Sequence, residues 1–193
     1  MTFSFRIFVL IGAFGAFSCA PENTEQVSTG WINMDSLIAA QIPHGASIEK
    51  LAALDSSHSS GRVTIKENWS EELAAFARIG VINKPIYRNL YRKEVGPDPN
   101  SNLNRLFLSA TDSTAPIRQL KIIYRGNPKE IIQLEAVVKE SSLFYSKEET
   151  LSMEFDPHTK RLERYTVGGW QQMAWFKPET YRISAQVRYT EAP

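Results

Sequence analysis

From residue 117 onward, three stretches alternate apolar and polar residues one for one. Between Tyr181 and Tyr189, Tyr181, Ile183, Ala185, Val187 and Tyr189 fall on one side, and Arg182, Ser184, Gln186 and Arg188 on the other. Ile132, Leu134, Ala136 and Val138 alternate in the same way with Gln133, Glu135 and Lys139, as do Leu151, Met153 and Phe155 with Ser152 and Glu154. A period of two places one face of a strand in a core and the other in water. The turn sequences "RGNPK", "DPHTK" and "KPET" separate these runs, so the pattern predicts a meander. Upstream, "IYRNLY" and "RLFLS" are expected as strands parted by the loop "GPDPNSN". Gly168 and Gly169 are expected to break the strand "RLERYTV" from "WQQMAWF".

The N-terminal third has a helical period instead. Met34, Leu37, Ile38 and Ile42 predict a helix over about 33–41, stopped by Pro43. A second helix is expected with Ser47 as its cap and Ile48, Leu51 and Leu54 on one side. In the third, Asn68 caps, Glu71 is its capping-box partner, and Trp69, Leu73, Phe76 and Ala77 form a stripe up to Gly80. Between the last two helices, "RVTIK" alternates as a short strand. Strands with one apolar face belong to antiparallel sheets, and so large an apolar face must be covered. The expected fold class is therefore α+β: a curved antiparallel meander of about six to eight strands packed on two or three N-terminal helices. At 193 residues and 42% hydrophobic content, one domain over 31–193 accommodates it.

The chain start differs in kind. Arg6 is followed by the apolar run Ile7–Phe17, then by Ser18 and Cys19, the single cysteine, and by the polar stretch "APENTEQVSTG" at 20–30. A basic residue, an apolar run of eleven and small residues near a cut site are signal-peptide anatomy; a spanning helix needs about 20 apolar residues. Cut as an ordinary secretory signal after Ser18, the chain would begin with an unpaired thiol. Ala16-Phe17-Ser18-Cys19 also resembles the lipobox of bacterial lipoproteins, with Ser18 and Cys19 fitting and Ala16 and Phe17 standing where Leu and a small residue are commonest. The resemblance implies that residues 1–18 are removed and that Cys19 is the lipid attachment site. Residues 19–30 would then be the lipidated cysteine and a flexible tether. It further implies a membrane partner reached through the lipid and a cell-envelope location. Ala20, in place of the Asp that retains some lipoproteins at the inner membrane, points to the outer one.

Charge and motifs narrow the remainder. Lys and Arg number 22 against 21 Asp and Glu, so no net field favours nucleic acid, and no nucleic-acid partner is expected. His44, His58 and His158 are expected in loops without metal-site spacing, and no metal or cofactor is expected. "SIEK" at 47–50 fits the SxxK pattern of serine enzymes, yet Ser47 is better explained as a helix cap, whose loss in Ser47→Ala would cost about 0.5–2 kcal/mol. Glu71 and Glu72 suit a helix start, Glu148 and Glu149 are expected in a loop, and Glu154 shares a strand face with Ser152. Trp170, Met173, Trp175 and Phe176 remain as a possible ligand or partner surface. The competing expectation, preferred on alternation, puts Trp170 and Phe176 in the core and covers Trp175 in part. The expected function is a lipid-anchored, non-catalytic envelope module for binding or assembly with an envelope protein partner. The alternative is a carrier of lipid or another apolar ligand, by analogy with lipoprotein carriers and lipocalin-like proteins.

Overall fold

The computed structural model describes residues 31–41, 46–55, 57–65 and 69–189, with 63–65 as backbone alone. Cys19, the segments 1–18 and 19–30, His44 and the cap residue Asn68 lie outside the described residues.

Among the described residues, nine strands form one antiparallel sheet. They are β1 (Ala46–Leu54), β2 (Ser57–Ile65), β3 (Tyr91–Pro97), β4 (Asn104–Ala110), β5 (Ile117–Tyr124), β6 (Ile131–Ser141), β7 (Tyr145–Phe155), β8 (Leu162–Met173) and β9 (Glu179–Tyr189). Their order is β2-β1-β9-β8-β7-β6-β5-β4-β3, so β3 to β9 meander and the N-terminal hairpin adds to the β9 edge. The sheet is open. One edge strand, β3, carries Arg92, Lys93, Glu94 and Pro97, residues that discourage further pairing.

Alternation decides the faces as expected for β6, β7 and β9. Leu134, Ala136, Val138, Leu151, Met153, Phe155, Ala185 and Val187 are buried on one face. The opposite face is polar and holds the exposed pairs Arg164–Glu154, at 3.0 Å, and Arg188–Glu49, at 3.3 Å. A short helical layer covers the apolar face: α1 (Met34–Ala39), α2 (Trp69–Glu72), α3 (Ala74–Ala77) and two 3-10 helices, Arg78–Asn83 and Pro85–Leu90. Asn33 caps α1, its side chain accepting from Ser36 N at 2.9 Å, and Met34 and Ile38 face the core. The balance is mostly β, with less helix than the sequence pattern suggests.

Three expectations are corrected. Residues 47–54 form a strand, paired along its whole length with β2 on one side and β9 on the other. Two ladders of backbone hydrogen bonds outweigh the helical propensity of "EKLAAL". Ser47 therefore caps no helix, and Leu51 stays 52% exposed. "IYRNLY" is mostly the second 3-10 helix, begun by Pro85, and the strand follows it from Tyr91. The glycine pair does not break β8, which runs unbroken to Met173. Gly169 sits where β7 comes so close that a methyl group would strike the Glu148 carbonyl.

The third helix is real but divided. Trp69, Leu73, Phe76, Ile79 and Ile82 are fully buried, while Ala77 is exposed. From Leu73 the spacing is three throughout, which stacks side chains on one face of a 3-10 helix; the chain tightens accordingly at Arg78. Phe76 meets Tyr165 edge-on at 5.9 Å, and Trp69 stacks on Tyr189 at 6.3 Å. Gln41, also buried, ties the end of α1 to the sheet by accepting from Leu162 N at 2.9 Å.

Candidate functional site

Two arrangements carry the polar and apolar chemistry of interest. The first is a buried carboxylate, Glu149, midway along β7. It shares the parity of buried Leu151, Met153 and Phe155, so its side chain lies on the helix-covered face, with Gly169 of β8 opposite it. Arg78, at the start of the first 3-10 helix, and the Tyr181 hydroxyl both donate to it, and Lys147 Nζ stands 2.7 Å away. Arg78 also reaches Glu140 at 2.9 Å and donates to Ala75 O at 3.2 Å. Burial pushes the Glu149 carboxyl up, but the donors Lys147, Tyr181 and Arg78 outweigh it and hold it below its ordinary value. Burial, then the hydrogen bond to Glu149, raises the Tyr181 hydroxyl.

A second cluster repeats the design nearer β1. Glu72 accepts from Lys50 Nζ at 2.7 Å and from the Tyr165 hydroxyl, which burial raises far above the ordinary tyrosine range. Each cluster joins the helical layer to the sheet through a carboxylate satisfied by a cation and a tyrosine. Every ionic group in them is spent on another, which makes them fasteners rather than a reactive centre. Sequence reasoning missed both. It put Glu149 in a loop, although the one visible signal was its parity with Leu151 and Met153 on the buried face of β7.

The SxxK pair is separated outright. On a strand, residues three apart point to opposite faces, so Ser47 and Lys50 diverge across β1. His58 lies exposed on β2 rather than in a loop, and His158 lies exposed in the β7–β8 turn. Among the described residues no group of three or more His, Cys, Asp or Glu side chains is placed to hold a metal ion. An open depression of about 290 Å³ lined by Glu49, Lys50, Leu51, Arg164, Ser184, Ala185 and Gln186 lies at the β1–β9–β8 junction. Its charged members already pair elsewhere, Lys50 with Glu72 and Arg164 with Glu154.

The second arrangement is apolar. Trp175 is 90% exposed, Phe176 69% and Met173 60%, so the expectation that alternation buries Phe176 and covers Trp175 is overturned. Trp170 is half-buried, opposite Glu148 and Thr180, and not part of the core. The reason is that β8 ends at Met173, and residues 174–176 turn at the sheet's end, where strand parity no longer applies. Phe144, 63% exposed, and Leu143, 91% exposed, join them from the β6–β7 tip; neither was singled out in the sequence.

Comparison with protein-family models, with curated proteins and with solved structures gives no match to this chain. Among the described residues no helix is long and apolar enough to cross a membrane.

Proposed function

We propose that the chain is a lipoprotein of the cell envelope, anchored in a membrane, and by Ala20 the outer one, through lipid on Cys19. Its sheet domain serves without catalysis as a binding or assembly module. The observation that carries this is the apolar run Ile7–Phe17 ending on the single cysteine, followed by eleven polar-rich residues before Trp31. Two or three acyl chains hold a protein stably where one is marginal. A sheet curved around its helical cover belongs to the same proposal, supported by ladder irregularities at Ile117/Gln119, Ile123/Tyr124 and Glu154/Phe155, which increase local twist.

A binding role draws support from two features. One is that fully buried Trp69, Leu73, Phe76, Ile79 and Ile82 fill the space between cover and sheet with side chains; the other is that the charged groups beneath the cover, Glu149 with Arg78 and Glu72 with Lys50, pair with one another. A carrier would instead hold an apolar space there for its ligand. Detergent phase partitioning tests the anchor: wild type should enter the detergent phase and Cys19→Ala the aqueous phase. Equal partitioning of the two defeats the proposal. Crosslinking in intact cells followed by purification distinguishes the module, recovered with a protein neighbour, from the carrier, recovered with a stoichiometric lipid.

A further inference from the structure

Leu143, Phe144, Met173, Trp175 and Phe176 form one patch because the β6–β7 and β8–β9 tips are neighbours. Tyr145 pairs with Met173, Ala174 N donates to Phe144 O at 2.8 Å, and the Phe144 and Trp175 rings lie 6.2 Å apart. Three properties bear on what the patch meets. No ionisable side chain lies within 141–144 or 173–176, and the first cation, Lys177, follows directly. The tips satisfy much of their own backbone: Ser142 N donates to Tyr145 O at 2.7 Å, Phe176 N to Met173 O at 3.1 Å and Gln172 Nε2 to Phe176 O at 3.2 Å. Trp175 holds a φ of +68°, a left-handed conformation that bulky residues rarely adopt, with its ring almost wholly in solvent.

A protein interface can supply partners for unpaired loop amides, whereas hydrocarbon cannot. Charge-free tips that pair much of their own backbone and carry Trp, Phe, Met and Leu, with a lysine at the margin, therefore match the boundary layer of a bilayer, where water still reaches the remaining amides. We propose that these two hairpin tips dock on the lipid surface, so that the domain touches its membrane at a second point. The inference rests on the anchoring proposal for which membrane is met. The twelve steps from Cys19 to Trp31 span at most about 40 Å, so the anchored domain stays within that distance of the membrane surface.

The test uses the full, processed chain in phosphatidylethanolamine–phosphatidylglycerol vesicles whose acyl chains carry bromine near the carbonyl end. Wild-type tryptophan emission should be quenched, and Trp175→Phe should lose that quenching while Trp69, fully buried, stays unaffected. In a second variant, Phe144→Ser with Phe176→Ser, Trp175 emission should shift back to the red with the circular dichroism unchanged. Emission from Trp175 that aqueous iodide quenches and bromolipid does not, on vesicle-bound protein, overturns the inference. So does protection of Trp175 only when a second protein is crosslinked to the tips. Fatty-acid labelling of the same preparation reports the anchor separately. Unlabelled protein defeats the anchor, and labelled protein with a water-facing Trp175 defeats this inference alone.

Discussion

Replacing Gly169 with alanine should destabilise the sheet, whereas the same change at Gly168 should leave it nearly unaltered. A Cβ at 169 would strike the Glu148 carbonyl oxygen and lie 2.9 Å from Glu149 Cα and 3.0 Å from Glu148 C. All three are backbone atoms of β7, a central strand paired along its length on both sides, so none can swing away. Overpacking of this kind costs about 1–3 kcal/mol, and backbone as the obstacle argues for the upper end. Reduced freedom of the unfolded chain offsets about 0.4–1 kcal/mol of it. The net loss is about 2 kcal/mol, or a fall in Tm of about 4–8 °C for a chain of this size. At 168 the nearest atoms are Tyr181 O at 3.3 Å and the flexible Arg182 Cγ at 3.4 Å, so the small crowding and the entropic gain nearly cancel. Thermal and urea unfolding, followed by far-ultraviolet circular dichroism and tryptophan fluorescence, measure both variants. A Gly169→Ala protein as stable as wild type would refute the close approach of β7 and β8 at this position.

Three further outcomes follow from the buried polar groups and from β1. Because the folded protein lowers the Glu149 pKa, its contribution is present above the unfolded value near 4.5 and is lost as pH falls through the folded value. Urea midpoints should therefore drop on acidification, and Glu149→Gln should flatten that limb while costing about 3 kcal/mol at neutral pH, the low end for a broken buried pair because Arg78 can turn to water. Tyr189 has the opposite sign: burial pushes its hydroxyl up to about 12, so its contribution is full below the unfolded value of 10 and fades as pH rises toward 12. Ultraviolet difference titration of the folded protein should show this tyrosine ionising well above the ordinary value, and reversible ionisation at the ordinary value would contradict its burial. Ser47→Ala should change stability by no more than about 0.5 kcal/mol, since a strand residue on the polar face replaces the helix cap; a larger loss in urea titration would restore the cap.

The strands that alternate without interruption were legible because burial on one face leaves a mark at every second residue. β1 was not, since Ile48, Leu51 and Leu54 mimic a helical stripe and pairing with β2 and with β9, distant in sequence, selects the strand. The 3-10 stretch was signalled by Leu73, Phe76, Ile79 and Ile82 at constant spacing of three, a period close enough to the α-helical one to be absorbed into it. Gly168-Gly169 resembled a break because glycine loosens a chain locally; here it relieves a contact made across the sheet. The candidate surface was half legible. Met173, Trp175 and Phe176 stood out by composition, but Phe144 and Leu143 join them only through the pairing of β7 with β8.

The anchor on Cys19 is the claim on which localisation and both binding proposals stand. Cells expressing wild type or Cys19→Ala, fed an alkyne-bearing fatty acid and analysed after click coupling, test it most directly. Wild type should carry the label and Cys19→Ala should not; an unlabelled wild-type protein, or label that survives the substitution, contradicts the account.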